Sequence, residues 1–426
     1  MVTRKEKREL EKNINYFFGF IKIKKHFFRD INKWFGKIKD PRHQSYITYP
    51  PEVILIKTMR GMTGDFNKEE CIENVRRVLG IETLEELPHF NTINNFLSRL
   101  DLIELEIIRT HMIKELLKKR SLEDYRISGK YWGIIFDGTG LFSFNERHCE
   151  HCLERVLKKG TEEEKTIYMH HVLEAKLVVG DMVLSIGSEF IENESEGVLT
   201  QDCELRAFYR LAAKIKETYK RLPICILGDS LYACEPVFQM CENYGWKYIF
   251  RFKEGRIKSV SSEFKAIKEM EIEEMQLNGD DVYWVNDIAY NERKVNVVEF
   301  TLDENGKKSF VFITDFKITT RNAKNLVAVG RSRWKIENEG FNNQKNLRYN
   351  IEYANSLDYT AMKNHYVLTQ IADIIMQLFM KGLKIFKVVK KTAREISLAL
   401  REAIRNIILT DKDISLLAKS MQVRFT

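Results

Sequence analysis

Apolar residues recur at three- and four-residue spacing in NINYFFGFIKIKKHFF, EVILIKTMRGM and EIIRTHMIKELL, which predicts helices through most of residues 1–125. Asp40-Pro41-Arg42 to Tyr49-Pro50-Pro51 reads as a connector, because proline resists helix. Asn91-Thr92-Ile93-Asn94 supplies capping residues for a short helix ahead of Phe96 and Leu97.

The pattern changes near Tyr131. YWGIIF (131–136) is a short apolar and aromatic run, predicting a buried strand that ends at Asp137-Gly138-Thr139-Gly140. HHVLEAKLVVG and DMVLSIGSEFI predict two strands joined by a hairpin turn at Gly180-Asp181. An amphipathic helix follows over 201–219, then a strand from Pro223 to Leu227, a helix over 235–244 and a strand over 247–252. Residues 256–309 alternate polar and apolar positions (VYWVNDIAY, KVNVVEF) and read as a β-rich insertion. FVFIT (310–314) returns to the core, and a long helix starting near Asn325 carries RSRWKIENEGF. This order predicts an α/β fold with a mixed sheet between helical N- and C-terminal regions. The expected divisions are 1–125, a core in two parts (126–255 and 310–359) around the 256–309 insertion, and 360–426.

Charge sharpens this picture. Residues 1–42 carry a net +8 and residues 360–426 a net +7; with +8 for the whole chain, the centre is left at −7. Basic ends around an acidic centre suit a polyanionic partner with metal chemistry between, although Lys-rich helices also arise as solvated faces. Arg4, Lys5, Lys7, Arg8 and Lys12 are candidate phosphate contacts. No stretch has the roughly 18 uninterrupted apolar residues of a membrane span, and the basic N-terminus lacks the apolar run of a secretory signal. Seven cysteines without framework spacing read as thiols or metal ligands.

Three acids hold meaningful positions. Asp137 follows the first predicted strand, Asp229 follows the fourth, and Glu337 lies on the helix after the insertion. Ligands of open α/β sheets bind outside strand ends, so these side chains can converge. Hard oxygen donors suit two Mg²⁺ or Mn²⁺ ions, which serve phosphodiester chemistry. Asp-Gly is also a common turn, and Glu339 competes with Glu337 for the third place.

The residues IIFDGTG around Asp137, ILGDSLYA around Asp229 and Arg333-Trp334-Lys335-Ile336-Glu337, with spacings of 92 and 108, resemble the DDE transposases of bacterial insertion sequences. The likeness is to the cut-and-paste group with a Tyr-x2-Arg-x3-Glu-x6-Lys signature. DPRHQSYITYP and PHFNTINNFL resemble the helical segment that precedes such catalytic domains. The signature Tyr falls at Gly330 and the signature Lys at Gln344, with Lys345 one residue late. The resemblance implies an RNase H-like mixed five-stranded sheet and a bacterial, nucleoid-associated enzyme. Its implied activity is cleavage at transposon ends and strand transfer by transesterification. Its implied partners are double-stranded DNA, as terminal inverted repeats and target, and a second copy of the chain in a synaptic homodimer. It makes Asp137, Asp229 and Glu337 the ligands of two Mg²⁺ or Mn²⁺ ions, and Arg333 and Lys345 phosphate contacts. A nuclease without strand transfer and a domesticated, non-catalytic DNA-binding protein are the rival readings.

Three further signals remain. Trp284 reads as a strand core residue, or by the resemblance as a wedge stacking on an extruded base. Lys253 is a phosphate contact or a solvated strand end. His148-Cys149-Glu150-His151-Cys152 offers His148, Cys149, His151 and Cys152 as zinc ligands, or forms a polar loop. Adjacent residues do not wrap one ion easily, so a zinc site would need a second segment, and His170-His171 is the nearest supply of one.

Overall fold

The computed structural model describes residues 3–43, 45, 47–59, 67–193, 201–270, 282–302, 308–423 and 425. Among the described residues, nine strands form one mixed sheet: β1 Trp132–Phe144, β2 Leu153–Leu157, β3 Lys165–Val179, β4 Met182–Ile191, β5 Ile224–Gly228, β6 Lys247–Arg251, β7 Val282–Tyr290, β8 Arg293–Leu302 and β9 Lys308–Thr314. The path across the sheet is β2-β3-β1-β5-β6-β9-β8-β7, with β4 also paired to β3. β3 is antiparallel to β1 and β4, whereas β1, β5 and β6 run parallel.

The first strand overruns its predicted end. β1 continues through Asp137 and both glycines to Phe144, because β3 is long enough to pair with it, Asp137 opposite Glu174 and Phe144 opposite Tyr168. The ladder overrides the local turn tendency of Asp-Gly. The Gly180-Asp181 turn forms as expected: Val179 pairs with Met182, and Gly180 has φ +59°, which a side chain tolerates poorly. The segment 256–309 begins with a helix, Lys258–Met270, and its strands β7 and β8 continue the main sheet through β9 and β6.

Alternation places the two faces of the sheet in different cores. Ile134 and Phe136 of β1 join the larger core, where Phe136 meets Phe208 of the Glu204–Thr218 helix at 4.9 Å between ring centres. Ile135, with Cys225 and Leu227 of β5, faces the other way, onto Leu326, Ile336 and Phe341. These last residues belong to a continuous helical run that begins at Ala323–Arg331. The run tightens over Ser332–Trp334, then widens to i→i+5 turns over Ile336–Phe341 and Asn343–Arg348.

The two helical ends pack together. Asn74, on the Glu69–Leu79 helix, donates to the carbonyls of Ile404 and Ile407 and accepts from the amide of Leu409. The long helix Tyr359–Gly382 is buried along most of its length, and its Asn364 donates to the carbonyls of Leu97 and Leu100. It carries a polar stripe, Gln370, Asp373 and Gln377, and among the described residues no helix is long and apolar enough to cross a membrane. Lys12 is exposed; the side chains of Arg4, Lys5, Lys7 and Arg8 lie outside the described residues.

Candidate acid site and a separate thiol–imidazole cluster

Pleating aims the two aspartates. Ile135 pairs with Leu227 at the end of the parallel β1–β5 ladder. Two residues further on each chain stand Asp137 and Asp229, which keep the parity of Ile135 and Leu227 and so face the helical run that carries Glu337. Arg333, on the tight turn of that run, donates from Nη1 to Asp137 Oδ2 at 3.0 Å, and its side chain is 20% exposed against 23% for Asp137. Asp229 is held by its own turn, with the amide of Leu231 donating to Oδ1 at 2.7 Å.

A fourth acid joins them. Glu204, at the start of the Glu204–Thr218 helix, accepts from the Tyr232 hydroxyl at 2.6 Å. It reaches the rim from the opposite face, over Gly138. A Cβ at Gly138 would stand 2.7 Å from Glu204 Oε2, so the missing side chain is what admits the carboxylate. Burial, opposed by Arg333 and reinforced by the negative charges of Glu204, Asp229 and Glu337, pushes Asp137 up to about 7. Burial and the charge of Asp229 also raise Glu204, against the hydrogen bond from Tyr232. The rim thus holds four carboxylates against one paired guanidinium, an excess of negative charge that a divalent cation with oxygen ligands would neutralise.

The remaining predicted residues divide. Glu337 is exposed and acts on Asp137; Glu339 lines a different cavity with Arg348 and Lys381. Lys345 lies within the widened turns and pairs with Glu352 at 3.0 Å. Its charge is felt instead at His171, which burial and then Lys345 hold below the usual imidazole value.

Both departures from the signature are absorbed by packing. A Cβ at Gly330 would lie 2.7 Å from the Phe312 ring, leaving no room for a tyrosine. Gln344 is fully buried and donates to Gln370 at 2.9 Å and Asp373 at 2.7 Å. Trp284, opposite Val298, is half-buried against the second core. Lys253 is exposed beyond the end of β6.

Arg251, one turn of strand earlier, is a basic residue that sequence reasoning missed. Its Nη1 is buried without a hydrogen-bond partner, and burial and then the charge of Arg333 hold it below the usual arginine value. Glu204 was missed too, because an acid in a helix's first turn looks like an ordinary dipole partner.

The cysteine cluster lies elsewhere. His148, Cys149, Cys152 and His170 bring one ligand atom each within 4.8 Å of all the others, and among the described residues no other set of three or more His, Cys, Asp or Glu does so. The four acids are not drawn that close. His151 is not in the set: its ring stacks on Tyr359 at 4.3 Å, and His170, from β3, takes the place expected for it. The second segment that such a site requires is thus supplied by one of the two neighbouring histidines, His170.

No family model matches the chain, and no curated protein matches it in sequence. Among solved structures, a piggyBac transposase in a synaptic complex with hairpin DNA aligns with 96% of this chain and 83% of its own, at 11% identity and a TM-score of 0.40. Likeness at that level leaves the site to be read from its own residues.

Proposed function

We propose that the protein is a DNA transposase of the DDE type, with Asp137, Asp229 and Glu337 as its metal-binding acids. The observation that carries this reading is geometric: Asp137 and Asp229 stand just past the paired ends of two neighbouring parallel strands, and Arg333, one helical turn before Glu337, is hydrogen-bonded to Asp137. The order β4-β3-β1-β5-β6, an antiparallel meander continued by two parallel strands, supports an RNase H-like core. Mg²⁺ or Mn²⁺ bound there would polarise a phosphodiester and activate a water or a DNA 3′-hydroxyl. The chain's own groups orient the substrate. Arg333 fixes Asp137 and offers the rest of its guanidinium fork to a phosphate, for which Arg suits bidentate contact. Arg251, with an unpartnered Nη1 near Arg333, offers a second donor on the same side. Glu204 and Tyr232 set the back wall of the rim.

Terminal inverted repeats and target DNA are the proposed partners, with two copies bridging two ends and the basic terminal regions supplying salt-sensitive phosphate contacts. The test is a gel assay with labelled inverted-repeat ends from the DNA flanking the gene, a target plasmid and Mn²⁺. Cleavage followed by joining to the plasmid is expected. Cleavage without joining would make the protein a nuclease, and binding without cleavage a non-catalytic DNA-binding protein.

A further inference from the structure

We propose that His148, Cys149, Cys152 and His170 bind one zinc ion in a closed, structural site. The four side chains come from the β1–β2 connection and from β3. Cys149 Sγ and Cys152 Sγ are 3.6 Å apart, and each lies 3.5 Å from His170 Nε2. His148 Nδ1 is 3.3 Å from Cys152 Sγ. Zn–S bonds of about 2.3 Å and Zn–N bonds of about 2.0–2.1 Å give tetrahedral ligand–ligand edges of roughly 3.3–3.8 Å, the range these atoms already occupy. Two thiolates and two imidazoles are also the ligand types zinc prefers.

Hydrogen bonding alone accounts poorly for the cluster. His170 Nε2 carries at most one proton, yet it faces both sulfurs at equal distance, and Cys152 and His170 are fully buried. A disulfide would need the sulfurs at about 2.05 Å. A cation in the centre satisfies all four donors together.

The surroundings fit a permanent site. The Phe142 and Phe144 rings pack against His170 and His148, at 5.4 and 4.1 Å between ring centres. Asn193 Nδ2 donates to the Cys152 carbonyl at 3.2 Å. Tyr359, the first residue of the long helix, stacks on His151, lies 5.1 Å from the His170 ring and donates to Glu192. Four protein ligands leave no open position for substrate. His170 pairs with Phe142, five residues along β1 from Asp137, which is about 16 Å at 3.3 Å per residue. The ion would therefore pin the β1–β2 connection to β3, beside the start of the long helix, and take no part in chemistry at the acids.

The experiment is metal analysis of the full chain, purified without a metal-affinity tag, with cobalt substitution as an independent readout. We expect about one zinc per chain, and Co²⁺-loaded protein with intense visible absorption and a thiolate charge-transfer band, as tetrahedral S₂N₂ ligation requires. His170→Ala and Cys149→Ser should each abolish the tetrahedral spectrum, and His151→Ala should keep it. Wild-type protein that takes up no zinc after reduction and reloading, an octahedral cobalt spectrum, or loss of the ion in His151→Ala would overturn the assignment. Because wild type alone can fail the test, an unfolded variant cannot rescue the proposal. The readout is independent of DNA cleavage, so it stands or falls separately from the transposase reading.

Discussion

Arg333 Nη1 donates to Asp137 Oδ2 at 3.0 Å across 196 residues of chain, joining the helical run that bears Glu337 to the central strand of the sheet. The bond has two effects. It fixes the rotamer of a half-buried carboxylate, and its charge opposes the burial and acidic neighbours that push Asp137 up to about 7. Arg333→Ala should therefore lower Mn²⁺-dependent cleavage by about 10²–10³-fold, the usual cost of losing one preorganised donor. It should also shift the rising limb of the pH–rate profile to higher pH, since Asp137 would hold its proton longer. Arg333→Lys keeps the charge but not the fork and should recover the pH limb more fully than the rate. Wild-type cleavage by Arg333→Ala would remove the guanidinium from the site's chemistry.

The same shift makes a statement about stability. The folded-state value of Asp137, about 7, lies above its ordinary 3.8. Below 3.8 the acid is protonated whether the chain is folded or not. Between the two values the folded chain retains a proton that the unfolded chain releases, so stability falls as pH rises and levels off above about 7. Asp137→Asn should abolish Mn²⁺-dependent cleavage; in buffer free of divalent ions it should melt higher than wild type at pH 8, with the difference closing near pH 4. Mn²⁺ should raise the Tm of wild type more at pH 8 than at pH 5, because the bound carboxylate must be deprotonated. A pH-independent difference between wild type and Asp137→Asn would show that the acids do not load this position.

These outcomes also bear on what the sequence could reveal. The strand pattern was readable because burial imposes a two-residue alternation, and the same alternation directs Asp137 and Asp229 to one face once their strands are neighbours. The end of β1 was not readable, because pairing with β3, fifteen residues long, decides it rather than the glycines after Asp137. The widening of the helical repeat after Glu337 was not readable either, because no local residue signals it. His170 was already named as the nearest second segment for the cysteine cluster, whereas Glu204 reaches the acids from the opposite face of the sheet, so spacing along the chain could not assign it.

Behind the Glu337 run lies a buried polar seam. Arg348 and Asp373 form an ion pair at 3.0 Å with side chains 1% and 3% exposed, and Asp373 also accepts from Gln344 and Gln377 at 2.7 and 2.8 Å. Removing one member strands the other's charge, which costs about 3–5 kcal/mol. Asp373→Ala should lose that much stability in urea unfolding. Gln344→Lys, which restores the signature residue, should destabilise the protein rather than improve cleavage. It would place a second cation beside Arg348 and near Lys176, whose own charge burial already disfavours. A Gln344→Lys protein of wild-type stability and higher activity would mean that the run can return to ordinary helix and bring residue 344 to the rim.

The role of Glu204 separates into charge and shape. Its charge is the largest acidic contribution to the raised value of Asp137 after burial, ahead of Asp229 and Glu337. Glu204→Gln keeps the volume and can still accept from Tyr232, so it should leave the fold intact and move the pH limb of cleavage toward acid. Gly138→Ala keeps the charge but forces it to move, since the new Cβ would stand 2.7 Å from Oε2 while Tyr232 holds the other oxygen at 2.6 Å. That variant should cut cleavage with little shift of the pH limb, because the backbone of Asp137 would be displaced instead of its proton affinity. Tyr232→Phe, which frees the carboxylate to swing aside, should partly rescue Gly138→Ala if tethering is what makes the collision costly. Equal pH profiles for wild type and Glu204→Gln would reduce Glu204 to a packing residue and leave three acids, not four, at the rim.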